Sequence, residues 1–471
     1  MKDVYWLQPE GTRFGDGQRL IHELTGSYTF CVLPWIHLAT RPNGDMRLCC
    51  NSNSSGAGND HEIGLVKNES GRPANFGNET PMSAWNNEYM RDVRTTMLQG
   101  KIPKSCKKCY DEESNGVASK RIWETGTWME NGIDLKQLVE DTMSDGTVPE
   151  KLYYLDLRLG HTCNLKCIMC SPHDSSLWVS DHKKVFPLFQ HNEIKKQLGW
   201  NQNNFNSHWH ENPEFWDEIY AQIPNIKQLY FAGGDPLLIK EHKLFLEEIV
   251  KRGYAQSIVL RYNTNGLLVN DEFIDLWCKF KKVKIGFSLD GLDQRNYYIR
   301  YPSDWDTITK NLHKLDNSPE NIEVSIAVAV QILNIKHLPD FAKWKIQQQF
   351  KKINFENVTG GIEAGGGIFN MHLLYIPTFL SIKCLPEKDK QEVRERFQEF
   401  RSWLWDNYRQ DKDFWEVNPY GWKRWEALLE FMDSEDHSYL LSAFNEYVNR
   451  MDSVRGLSFT ETFPELHNLL S

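Results

Sequence analysis

The rhythm of hydrophobic and polar positions changes near residue 150. From there, short apolar runs at 153–159, 228–232, 257–262, 283–289, 324–331 and 353–358 alternate with amphipathic stretches such as 244–251, 271–279 and 305–315. Apolar runs separated by helix-period segments predict βαβ units and a parallel sheet. Six strands fall short of the eight of a closed barrel, so the expected fold is α/β, an open, partial (β/α)6 TIM-like barrel over 151–385. Residues 1–150 carry turn formers and few periodic segments. One helix is predicted at 82–98, where Trp85, Tyr89, Val93 and Met97 recur every four residues. From 386 to 471 the pattern is helical, at 388–408, 422–432 and 439–451, and reads as a cap. Between 171 and 227 lies an insertion far longer than a βα connection, holding Trp178, Trp200, Trp209 and Trp216 with His191, His208 and His210. It reads equally as a lid or a decoration.

The 471 residues carry a formal net charge of -10, which gives no support for nucleic-acid binding by charge. No apolar run reaches the length of a membrane span, and the first residues lack a secretory pattern. The expected location is therefore the reducing cytoplasm. There, clustered cysteines point to metal rather than disulfides. Eight of the ten cysteines fall in three groups: Cys31 with Cys49 and Cys50, Cys106 with Cys109, and Cys163 with Cys167 and Cys170. Cys384 stands alone. So does Cys278, which reads as a buried thiol at the end of the apolar pattern 273–278.

The third group follows directly on the first barrel strand. Its C-x3-C-x2-C spacing lets three thiolates wrap one corner of a cubane cluster and leaves a fourth iron without a protein ligand. An open iron can bind and activate a small molecule. This spacing resembles the signature of the radical S-adenosylmethionine (radical SAM) superfamily, and further matches follow at successive strand ends. Gly233-Gly234-Asp235-Pro236 resembles the family's Gly-Gly-Glu-Pro segment, which implies that it holds the cofactor's amino group, with Asp in place of Glu. Asn265 belongs to Asn263-Thr264-Asn265-Gly266, and Ser288 and Asp290 to Phe287-Ser288-Leu289-Asp290-Gly291. Arg300 and Ser288 are expected near the cofactor carboxylate, and Met169 stands where relatives place an aromatic residue near the adenine.

The N-terminal cysteines have their own pattern. Cys31 and Cys49 flank Asn43-Gly44-Asp45, a hairpin signal that would bring the thiols together, and Cys106-x2-Cys109 is a common half-site for zinc or iron–sulfur. Together they resemble the SPASM module or its shorter form, twitch, placed before the barrel instead of after it. The resemblance implies an auxiliary [4Fe-4S] cluster on Cys31, Cys49, Cys106 and Cys109, with Cys50 as a possible substitute for Cys49. A structural zinc site uses the same residue types.

The resemblance thus implies an enzyme that binds a catalytic [4Fe-4S] cluster on Cys163, Cys167 and Cys170, cleaves S-adenosylmethionine reductively to a 5′-deoxyadenosyl radical, and abstracts hydrogen from a peptide, protein or small molecule. The expected partners are that substrate and a reductant such as flavodoxin or ferredoxin, with neither membrane nor nucleic acid. A non-catalytic iron–sulfur protein that binds the same cofactor as a sensor is the alternative. Glu356, Glu363 and His372 are candidates for substrate contact.

Overall fold

The computed structural model describes residues 13–52, 64–114, 119–200, 205–353, 368–408 and 419–470. The chain divides into two compact units. The first comprises 1–160, 203–233 and 251–254, and the second 161–202, 234–250 and 255–471.

In the first unit, β1 (His37–Thr40) and β2 (Met46–Arg47) form the antiparallel hairpin expected around Gly44. The turn closes through Arg41 N–H to the Asp45 carbonyl at 2.8 Å. Gly44 sits at φ +87°, and the Trp209 ring occupies the space where a Cβ would go. Trp209 in turn donates from Nε1 to the Pro42 carbonyl at 3.0 Å. β1 runs parallel to β3 (Tyr154–Leu157), which runs parallel to β4 (Gln228–Phe231). The N-terminal module therefore adds two strands that the periodicity of the barrel region did not announce.

Register sorts the side chains of these strands into two faces. Leu38, Leu155, Leu157, Leu229 and Phe231 share one face and are fully buried. The other face carries His37, Ala39, Arg47, Tyr154, Asp156, Gln228 and Tyr230. Parallel sheets are normally apolar on both faces, so this polar face is unusual.

In the second unit β5 (Val259–Thr264), β6 (Lys282–Ser288), β7 (Ile322–Val330) and β8 (Asn370–Leu373) are consecutive parallel neighbours. Leu260, Tyr262, Val283, Ile285, Phe287, Val324, Ile326 and Val328 alternate into a core. Helices Asp271–Trp277, Trp305–Asp316 and Leu338–Gln347 contribute Phe273, Leu276, Ile308, Leu312 and Phe341 as buried residues. Among the described residues eight strands make a mostly parallel sheet that does not close, the open α/β architecture that the pattern predicts. The expected sixth barrel strand, 353–358, falls almost wholly outside the described residues. Helices Glu387–Tyr408, Pro419–Asp433 and Leu441–Arg455 match the predicted C-terminal three.

Two local expectations are corrected. The helix at 82–98 is two helices, Pro81–Trp85 and Glu88–Leu98, because the Asn87 side chain accepts from Met90 N–H at 3.0 Å and starts a new helix. Cys278 is exposed; it lies one residue beyond the buried Trp277, at the helix C-cap, with its thiol donating to the Asp275 carbonyl at 3.1 Å. The insertion divides its work. Trp178–Val185 and Asn192–Leu198 belong to the second unit, while Pro213–Gln222 buries Phe215, Trp216 and Ile219 in the first.

Replacing Gly44 by alanine should strain the hairpin and displace Trp209, at a cost of about 1–3 kcal/mol. Denaturant unfolding should show an earlier first transition; an unchanged curve would mean that the turn relaxes freely.

Candidate cluster-binding sites

The Cys163–Cys170 loop lies in the second unit, and its backbone is tied down from several sides. Lys166 N–H donates to the Tyr301 carbonyl and Ile168 N–H to the Ile299 carbonyl, both at 2.7 Å. Trp178 Nε1 donates to the Cys167 carbonyl at 2.7 Å, Ser175 Oγ to that of Leu165 at 2.5 Å, and Tyr447 Oη to that of Ile168 at 2.6 Å. With its backbone polar groups engaged in this way, a buried loop can hold one shape without regular structure. Within the loop Cys163 Sγ accepts from Leu165 N–H at 3.4 Å, and none of the three thiols is in a disulfide. Burial pushes Cys163 up to about 12. A hydrogen bond from Cys170 holds Cys167 low, helped by the Arg300 charge, while Cys170 is correspondingly raised.

The strand-end motifs assemble beside this loop. Gly233 and Gly234 have φ of +81° and +52°, and a Cβ on Gly234 would run into the Thr162 carbonyl. Only glycine lets these backbones approach so closely. Asp235, expected to offer its carboxylate to an ammonium group, is fully buried and uses that carboxylate inside the protein. It accepts from Thr264 Oγ1 and Asn265 N–H at 2.8 Å and from Leu237 N–H at 3.0 Å, while its own N–H donates to the Thr162 carbonyl. Its side chain thus joins strand ends rather than facing a ligand. Pro236 opens the short turn Pro236–Leu238 and is buried. Asn265 Nδ2 donates to Asn164 Oδ1 at 2.7 Å, linking β5 to the cysteine loop.

Asp290 is also fully buried. Its Oδ1 accepts from Ala329 N–H at 2.7 Å, and its Oδ2 pairs with Arg300 Nε at 2.8 Å. That pair sets Arg300 Nη1 at 3.9 Å from Cys167 Sγ. Ser288 ends β6 half-buried, and Met169 is half-buried in the loop. Of the substrate-contact candidates, Glu356 and Glu363 lie outside the described residues, and His372 sits exposed on β8. Three thiols outside any disulfide, one of them with Arg300 Nη1 at 3.9 Å, suit an anionic iron–sulfur cluster, since thiolates are its usual ligands.

The first unit holds the second set. Cys31, Cys49, Cys106 and Cys109 line one cavity together with Leu33, Met97, Tyr110 and Arg121. Cys50 is not among the lining residues; its Sγ lies 4.0 Å from Asn51 Oδ1. The hairpin presents Cys49, whose carbonyl accepts from Ser52 Oγ at 2.7 Å. Cys106 and Cys109 sit on the turn Lys104–Cys106 and the helix Lys107–Ser114. Burial raises all four thiols, Cys106 to about 12, so metal loading must displace protons. Among the described residues no three His, Cys, Asp or Glu side chains converge on a single-ion site.

Sequence reasoning missed the clamp on this cavity. Helix Lys120–Glu130, announced only by its N-cap Ser119, places the buried Arg121 against Glu113. Arg121 Nη1 also donates to the Phe30 carbonyl at 2.7 Å, and its guanidinium lies 4.9 Å from the Tyr110 ring. Tyr110 Oη donates to the Thr29 carbonyl at 2.7 Å. The Cys31 segment and the Cys109 helix are thereby fixed to one another.

Both groups of cysteines fall within stretches that match known families. The family model of the radical SAM superfamily matches residues 157–344, and that of SPASM, an iron–sulfur cluster-binding domain, matches 31–110. The chain is 23% identical over 206 residues to a tungsten-containing aldehyde ferredoxin oxidoreductase cofactor-modifying protein of Pyrococcus furiosus, covering 41% of this chain and 47% of that protein. It is 24% identical over 206 residues to GTP 3′,8-cyclase of Thermodesulfovibrio yellowstonii, covering 43% and 56%. The chain thus spans about half the length of these curated relatives. A solved structure described as native anSMEcpe with bound AdoMet aligns at 15% identity and TM-score 0.35, over 54% of this chain and 61% of that one.

Cys167→Ala should lose the cluster of the second unit and keep that of the first, leaving about four of about eight irons per chain. Cys109→Ala should give the converse. Iron and sulfide analysis of reconstituted protein checks both, and loss of all iron in either variant would count against two separate sites.

Proposed function

Because this chain is a radical S-adenosylmethionine protein carrying a SPASM iron–sulfur module, we propose that it is a hydrogen-abstracting enzyme whose chemistry starts at the Cys163–Cys170 loop and whose substrate is a polar molecule, either a peptide or a small metabolite. The observation that carries this reading is a loop held through its backbone while its three thiols stay out of disulfides, Cys167 beside Arg300. When bound, the cluster and S-adenosylmethionine together supply a 5′-deoxyadenosyl radical. The chain's own residues bind and orient. Arg300, held by Asp290, presents a guanidinium suited to the cofactor carboxylate. Gly233 and Gly234 let backbone approach its amino group, and Asp235 keeps that turn joined to β5.

The polar sheet face of the first unit supports a polar substrate. His37 and Asp156 are 2% and 4% exposed, and both His37 ring nitrogens and Asp156 Oδ1 lack hydrogen-bond partners. Burial pushes His37 down to about 4, so its ring is neutral at physiological pH. Polar groups buried without partners are costly, and a polar ligand on this face would satisfy them. The auxiliary cluster would anchor such a substrate or accept an electron from it. A flavodoxin or ferredoxin would supply the electron that starts each cycle.

The decisive test is 5′-deoxyadenosine formation by anaerobically reconstituted protein given S-adenosylmethionine and dithionite. Native protein should form it, and a Cys163/Cys167/Cys170→Ala variant should not. No product from a fully iron-loaded native chain, with or without an extract supplying substrate, would replace this reading with a cofactor-binding protein that does no radical chemistry. Arg300→Gln should keep its iron and weaken S-adenosylmethionine binding about 10- to 100-fold, the value of one charge-assisted contact. Equilibrium dialysis measures it, and unchanged affinity would remove Arg300 from the cofactor site.

A further inference from the structure

The C-terminal helices lie beyond both family matches, yet one of them reaches the cysteine loop. Arg455, the last residue of helix Leu441–Arg455, has a side chain that is 1% exposed. Its Nε pairs with Asp181 Oδ2 at 2.9 Å, and Lys166 Nζ meets the other oxygen of the same carboxylate at 2.6 Å. The guanidinium lies between two rings, 4.8 Å from Trp178 and 5.4 Å from Tyr301. Those residues are also the ones that hold the loop, Trp178 through the Cys167 carbonyl and Tyr301 through Lys166 N–H. Two turns earlier on the helix, Tyr447 bonds the Ile168 carbonyl.

Two observations say that this is more than glue. Arg455 Nη1 and Nη2 are buried with no hydrogen-bond partner. The ion pairing is also shared: the single carboxylate of Asp181 faces both Lys166 and Arg455, while Asp174, Asp235, Asp290 and Asp452 are the other carboxylates of this region. A buried cation that shares its carboxylate with a second cation is only partly compensated, and an anion bound to the nearby thiolates would offset the rest. A helix C-terminus favours a cation, but it does not call for one with two unpartnered amines.

We propose that Arg455 is a positioning and counter-charge residue for the catalytic cluster, through which the C-terminal region sets that cluster's reduction potential. The inference rests on Cys163, Cys167 and Cys170 as the cluster's ligands. Reduction adds one electron, taken from a flavodoxin, ferredoxin or dithionite, and so makes the cluster more negative. A nearby cation favours the reduced form and raises the midpoint; a nearby carboxylate lowers it.

The test is a redox titration followed by electron paramagnetic resonance on full-length reconstituted protein, taking the signal absent from Cys167→Ala as that of the catalytic cluster. Arg455→Met should shift its midpoint to more negative potential, Arg455→Lys should restore most of the shift, and Asp181→Asn should shift it the opposite way. Tyr447→Phe, which removes a brace without a charge, should leave it in place. An unmoved midpoint in iron-replete Arg455→Met would overturn the proposal. So would shifts of one sign in Arg455→Met, Asp181→Asn and Tyr447→Phe, the mark of a purely structural role. If Arg455→Met fails to load iron, Asp181→Asn decides, since a shift to lower potential there refutes the counter-charge. A signal that persists in Cys167→Ala would instead refute the assignment of the ligands.

Discussion

Everything at the proposed catalytic site depends on how the backbone of the Cys163–Cys170 segment is satisfied. A loop without helix or strand ladders must place its N–H and C=O groups elsewhere. Here they go to Ile299, Tyr301, Ser175, Trp178 and Tyr447. Those partners come from the insertion, the segment after β6 and the C-terminal region, so three separate stretches of chain converge to hold one short loop. The thiols are then left outside any disulfide, with the loop's shape held by bonds to its backbone.

The auxiliary site follows the same rule with different parts. Its cavity is bounded by a hairpin, a turn and two short helices, elements with little intrinsic stability of their own. A buried ion pair between Arg121 and Glu113, with Arg121 also bonding the Phe30 carbonyl, joins them. Breaking one partner of such a pair strands the other. The arrangement therefore sets the spacing of Cys31 and Cys109 more tightly than the local sequence could.

What was legible in the sequence was local. The spacing of Cys163, Cys167 and Cys170, the glycines at 233 and 234 and the Asn43-Gly44-Asp45 turn each depend on neighbours within a few residues, and each stands where it was read. The open α/β class followed from periodicity alone. Illegible were features set by competition or distance. Asn87 caps a helix inside a stripe that spacing by four had made continuous. Cys278 follows a buried Trp277 and turns outward at a helix end. Asp235 has the residue type of a ligand-facing carboxylate, but strand ends take its oxygens. Arg455 and Tyr447 lie nearly three hundred residues from the loop they hold, and no periodicity links such positions.

The parallel pairing of β1 with β3 has a consequence for how this architecture can be rearranged. In many multidomain chains a cofactor module is a cassette, joined by a linker and free to be cut away or transplanted. Here the hairpin that presents Cys49 is also the lateral neighbour of the strand that leads into the Cys163–Cys170 loop, with His37 to Ala39 in register against Tyr154 to Asp156. Excising the module would bare the backbone edge of β3, an open template for pairing with another chain. The N-terminal region is therefore not interchangeable with a module fused elsewhere, and a shortened chain that begins at the barrel should self-associate rather than fold as a smaller enzyme.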